Sequence, residues 1–185
     1  MNNDNSIWKN KIEKTICAML NLEDLSAGLQ IIRNDRKWRE NEKYIDYIWI
    51  VTINKCFTGS LSLFSIKFNS NTFREIENKQ EIISGIVKLN SEFEVDISYQ
   101  KTTIDLNFDL IRTLKSFDLF ESHKGITLDG IDYDILIKSS NIETRINLNN
   151  PNSKSWLEFV EKINTIGSLI AIDSNNQHLI HFCIQ

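Results

Sequence analysis

Apolar residues recur along this chain with two different periods, and the switches between them mark its elements. Residues 6–20 carry Trp8, Ile12, Ile16 and Met19 at helical spacing, with Asn5 or Ser6 placed to cap the free N–H groups. Gly28 interrupts that pattern. Leu29–Arg33 and Tyr44–Ile53 are predicted strands, joined by the polar segment Asn34–Lys43. The second is apolar on both faces. Ile45, Tyr47, Trp49 and Val51 share one side and Ile48 and Ile50 the other, the pattern of a central strand covered above and below. Gly59 precedes a third strand, Leu61–Phe68.

Residues 72–89 fit two periods. Phe73, Ile76, Gln80, Ile83 and Val87 predict a helix running to Ile83, while Ile82–Leu89 also suits a strand. Phe93, Val95, Ile97 and Tyr99 then alternate with polar residues, as do Ile104, Leu106 and Phe108. Leu110–Phe120 returns to helical spacing. Asp129-Gly130 signals a turn into a strand bearing Ile131, Tyr133, Ile135 and Ile137. A returning strand carries Ile142, Thr144, Ile146 and Leu148 on one face. Pro151 suits the first turn of a helix whose stripe is Trp156, Phe159, Val160 and Ile163, with Gly167 as its stop. His178–Ile184 is read as a last strand. The short connections predict a single α+β domain over residues 1–185. Its sheet is largely antiparallel, packed with an N-terminal helix, one or two middle helices and a helix in the C-terminal region.

Charge narrows the function classes. The formal net charge of −4 and pI near 5.4 argue against a general nucleic-acid binder, which needs cations to displace counterions from phosphates. Within residues 90–134 there are ten acidic and four basic side chains. Cys17, Cys56 and Cys183 are widely spaced and form no CxxC, so reduced thiols and a cytoplasmic setting are expected. The N-terminal residues intersperse charges among the apolar positions, so no signal-peptide core is expected. The most apolar run, Tyr47–Val51, is too short to cross a bilayer.

Catalytic and cofactor signatures are missing. There is no phosphate-binding glycine loop and no nucleophile elbow. His178 and His181 would point to opposite faces of a strand, and Asp129, Asp132 and Asp134 lack the glycine and glutamate spacing of a calcium loop. No cofactor, metal or catalytic residue is therefore assigned, although paired carboxylates assembled in space would leave no sequence signal. Arg33, Arg36, Lys37, Arg39 and Lys43 surround Trp38, but Asp35, Glu40 and Glu42 interrupt them, as in a solvated loop.

The acidic residues have a parity. If Tyr99 pairs with Ile104 across a short turn, Glu94 faces Asp109 and Asp96 faces Asn107 on the side away from the core. Asp105, Asp132 and Asp134 likewise alternate with apolar neighbours. Glu94, Asp96, Asp105, Asp109, Asp132 and Asp134 are thus expected to be solvent-exposed, several on one face of the sheet. That face is either the solvated side of an acidic protein or a docking surface for a cationic partner.

The segment Gly125-Ile126-Thr127-Leu128-Asp129-Gly130, then Tyr133, the returning strand, and Asn150-Pro151 before Trp156-Leu157, resembles the C-terminal halves of small bacterial immunity proteins. These are the partners of polymorphic and contact-dependent growth inhibition toxins. The resemblance covers the last third of the chain and carries no contact residues with it. It implies a cytoplasmic inhibitor, not an enzyme, that binds a cognate toxin domain directly. A cationic nuclease would suit an acidic inhibitor face. The rival expectations are a ligand-binding or scaffold domain and, third, an enzyme with spatially assembled carboxylates.

Overall fold

A computed structural model describes residues 2–31, 42–55, 59–69, 80–89, 95–102, 130–151 and 154–173, together with 175, 177 and 180. The elements are α1 (Asn2–Leu20), β1 (Gly28–Ile31), β2 (Glu42–Lys55), β3 (Gly59–Asn69), β4 (Gln80–Leu89), β5 (Val95–Thr102), β6 (Ile131–Ser139), β7 (Ile142–Asn149) and α2 (Lys154–Asp173). The strands form one antiparallel sheet in the order β5-β4-β3-β2-β6-β7. β1 pairs with the start of β2, on the edge that β6 occupies further along.

Each face of the sheet carries a helix and its own core. On one, Ile12, Ile16 and Leu20 of α1 pack on Ile48, Ile50, Phe64, Ile66, Ile83 and Leu136. On the other, Trp156, Phe159, Ile163, Ile166 and Ile170 of α2 pack on Trp49, Val51, Leu61, Leu63, Ile86, Tyr133 and Ile135. The α+β architecture with an antiparallel sheet is as the pattern predicts, and Trp156, Phe159 and Ile163 are the buried stripe. Their burial is what holds α2 down, since an isolated helix of this length is marginal in water.

Four local expectations are corrected. α1 begins at Asn2, so Asn5 and Ser6 lie inside it rather than at its cap. It ends in a Schellman-type turn: Asn21 takes a left-handed φ of 58° and the Leu22 N–H reaches the Cys17 carbonyl at 2.9 Å. Residues 80–83 belong to strand β4, not to a helix. Ile83 and Val87 are four apart, a spacing that shares a face in both a helix and a strand, and the ten-residue ladder to β3 decides between them. Gly167 does not stop α2. The apolar stripe continues through Ile166, Ile170 and Ala171, and their burial outweighs the roughly 1 kcal/mol that a mid-helix glycine costs. Of the tail read as a strand, Ile180 is described; it is helical and packs on the α2-side core.

The central strand also departs from simple alternation. Ile45 pairs with Phe68 and Tyr47 with Lys67, so Asp46 is an extra residue in a β-bulge. The bulge moves Ile45 onto the α1 face beside Ile48, away from Tyr47 and Trp49. The expected strand 104–108 and helix 110–120 lie outside the described residues.

Candidate functional site

The apolar lining of the α1 face stops at one height across three strands, beside a β7 that is polar on this face throughout. Ile48 and Ile50 of β2 give way to Thr52 and Asn54, and Ile66 and Phe64 of β3 to Ser62 and Ser60. In β6, Leu136 gives way to Asp134 and Asp132; in β7, Arg145 is followed by Asn147 and Asn149. Register brings these residues into two rows. Ser62, Thr52, Asp134 and Asn147 form one, and Ser60, Asn54, Asp132 and Asn149 the next. The block is about 14 Å across, given a strand spacing of about 4.8 Å. The opposite face stays apolar to the same height, with Ile53, Leu61, Tyr133 and Leu148 in line. The change is therefore specific to one face and is not the ordinary wetting of a sheet's end.

Above these rows lies a groove of about 510 Å³, walled by Ile12 of α1 and floored by Thr52, Asn54, Ser60, Asp132, Asp134, Asn147 and Asn149. Its size falls in the range of small-ligand and side-chain pockets. Hydrogen bonds fix much of the floor. Thr52 Oγ1 and Ser62 Oγ lie 2.8 Å apart, and Ser60 Oγ donates to Asn54 Oδ1 at 2.5 Å. Asn149 Nδ2 donates to Asp132 Oδ1 at 2.8 Å, while Asn149 Oδ1 accepts from Asn150 Nδ2 at 2.9 Å.

The two carboxylates have different surroundings. Asp132 is exposed. Asp134 is only 8% exposed and pairs with Arg145, its Oδ1 lying 3.6 Å from Nε. The same guanidinium donates from NH2 to Glu13 Oε1 of α1 at 3.1 Å, so Arg145 bridges helix and sheet at the groove's edge.

Among the described acids, Asp132 and Asp134 share a face, and Asp96 is not in register with either. Asp96 pairs with Lys88, in register with Leu61, Ile53 and Tyr133. Asp132 and Asp134 flank Tyr133 and so belong to the face opposite to it. The premise of a short turn after Tyr99 fails: Gln100–Thr102 continue β5 against Ile82–Ser84. Asp134 departs from the expected exposure: it is buried and pairs with Arg145 of the neighbouring strand. Glu94, Asp105 and Asp109 lie outside the described residues. Thr52, Asn54, Ser60, Asn147 and Asn149 were not marked out by the sequence pattern, though polar residues two apart in strands with otherwise apolar faces are the signal that would have found them.

No group of three His, Cys, Asp or Glu side chains suited to a metal occurs among the described residues. Among the described residues, no His or Cys lines the groove. The arrangement offers fixed hydrogen-bonding groups and carboxylate charge, which is binding chemistry. Comparison with protein families, curated proteins and solved structures finds no match for this chain. No described helix is long and apolar enough to cross a membrane.

Proposed function

We propose that this chain is a non-catalytic immunity protein that neutralises a cognate bacterial toxin domain by direct stoichiometric binding. The resemblance of residues 125–157 to immunity proteins motivates the reading. The observation that supports it is the polar groove on the α1 face: three strands turn polar together beside the polar face of β7, and hydrogen bonds orient the side chains. Such preorganisation lowers the ordering cost of a partner's arrival. The carboxylate of Asp132 gives the site the sign a cationic toxin requires.

A small-molecule binding domain would use the same groove, and its volume favours that as the second reading. Co-expression separates the two. The toxin domain encoded beside this chain should be tolerated by cells only when the chain is present, and the two should co-purify in a 1:1 ratio. Growth arrest despite abundant folded protein would overturn the immunity reading.

A further inference from the structure

We infer that the groove on the α1 face is a receptor for a guanidinium group, an arginine side chain presented by the protein partner. The inference rests on the binding-protein reading above and adds the chemistry that the site recognises.

The first step is the charge left over. Asp134 is engaged by Arg145, and Arg145 also holds Glu13. Among the described residues that line the groove, Asp132 is the exposed carboxylate and none is a cation. One carboxylate suits a monovalent cation. A divalent metal wants several charged oxygens, and the guanidinium of Arg145 at the groove's edge opposes one.

The second step is geometry. Asp132 stands between Asn54 and Asn149 in one row of the sheet, so its carboxylate is flanked by a carboxamide on either side. Hydrogen bonds from Ser60 to Asn54 and from Asn149 to Asp132 set the orientation of these groups before any ligand arrives. A carboxylate and a carboxamide oxygen each accept more than one hydrogen bond, so one internal bond orients them without saturating them. Guanidinium carries its charge in a flat fork of five N–H donors and fits a row of acceptors; an ammonium is a compact point charge and fits it less well. Ile12 supplies an apolar wall against which the methylene stem of an arginine can lie.

The test uses the full chain and short peptides followed by NMR of the asparagine side-chain amides. A tri-arginine peptide should shift the amides of Asn54 and Asn149 saturably, with a dissociation constant of about 1 mM, the scale of one charge-assisted contact with a few neutral bonds. Tri-lysine should bind several-fold more weakly, and tri-citrulline, which keeps the shape and loses the charge, should not saturate. Asp132→Asn keeps an acceptor for Asn149 and removes the charge, so it should weaken tri-arginine by about tenfold while leaving the circular dichroism unchanged. Equal binding of the three peptides, or shifts unaffected by Asp132→Asn, would overturn the inference. If the peptides fail but the toxin domain still co-purifies with Asp132→Asn undiminished, the groove is not the receptor and the immunity reading stands. If the peptides behave as expected but no toxin domain is bound, the immunity reading falls and the guanidinium site stands.

Discussion

The carboxamide of Asn150 lies directly over the α-carbon of Gly130. Its Oδ1 accepts from the Ile131 N–H at 2.8 Å, while the Asn150 backbone N–H donates to the Ile131 carbonyl at 3.0 Å. One residue thus closes the open end of the β6–β7 hairpin from both sides, and it does so in a left-handed conformation, φ 45°. A side chain at position 130 would occupy the space that the carboxamide fills. Gly130 is required there for room rather than for an unusual backbone.

Gly130→Ala should therefore destabilise by about 2–3 kcal/mol, the cost of forcing a methyl group into a filled site. Asn150→Ala should cost about 2 kcal/mol, because it loses a side-chain hydrogen bond and leaves a β-carbon in the left-handed region. Asn150→Gly should cost less. The double variant Gly130→Ala/Asn150→Ala should be more stable than the sum of its parts implies, since the clash needs both side chains. Urea denaturation of the four variants measures this. Strict additivity would mean that the two residues do not touch.

Trp156 anchors α2. It is 9% exposed and meets Phe159 edge to face with centroids 6.0 Å apart. Trp156→Ala should cost about 3–5 kcal/mol. A loss below about 1 kcal/mol would place the side chain in solvent and make it a contact residue instead.

The alkaline limb of stability should depend on Cys17 and Tyr133. Burial pushes the Cys17 thiol above its ordinary value of 9.0, and the charges of Asp24 and Glu13 add to this. Burial likewise raises Tyr133 above 10.0, against a lowering hydrogen bond from Asn164. Both groups are neutral acids that the unfolded chain deprotonates first. Their contribution is thus complete below the unfolded pKa and disappears as pH rises through the folded one. Cys17→Ser and Tyr133→Phe should each flatten the fall in urea midpoint between about pH 8 and about pH 11, and wild-type Cys17 should alkylate more slowly than a free thiol at about pH 8. A fall as steep in both variants as in the parent would refute the assignment.

Much of the sheet was legible because strand parity is local. Tyr133, Ile135 and Ile146 face one way whichever neighbours they acquire, and the turn signal at Asp129-Gly130 fixes where that parity starts. The bulge at Asp46 was not legible, since a single extra residue changes no composition and is visible only against Phe68 and Lys67. The polar groove was hidden for a related reason. Asn54, Ser60, Asp132 and Asn149 come from four strands up to 95 positions apart in the chain, and nothing in any one strand says which polar residues share a row. The alternation of Asp96 and Asp132 with apolar neighbours is a property of each strand alone. It does not carry between strands, because the register joining β5 to β6 runs through three other strands and brings Asp96 into the row of Tyr133, not of Asp132.

Arg145 provides the sharpest test of how α1 is held beside the groove. Its guanidinium is 37% exposed and touches a carboxylate on either side, Glu13 at 29% and Asp134 at 10%. The Glu13 contact is largely in water, so Glu13→Gln should cost no more than about 1 kcal/mol and should lose even that at high salt. The Asp134 contact is different in kind, because burial has already removed much of that carboxylate's hydration. Arg145→Met keeps most of the stem's packing and removes the cation, and should cost about 2–3 kcal/mol, below the cost of breaking a fully buried pair because Arg145 is partly solvated. Replacing both partners, Arg145→Met with Asp134→Asn, should recover most of that loss, since the penalty belongs to the stranded charge and not to the missing pair. Thermal and urea denaturation of the three variants and the double decide the matter. If Arg145→Met costs no more than Glu13→Gln, Asp134 is adequately hydrated and the clamp contributes nothing to the fold. If the double variant is as unstable as Arg145→Met alone, the loss arises from the arginine stem packing on the sheet, and the ion pair is incidental to holding α1 in place.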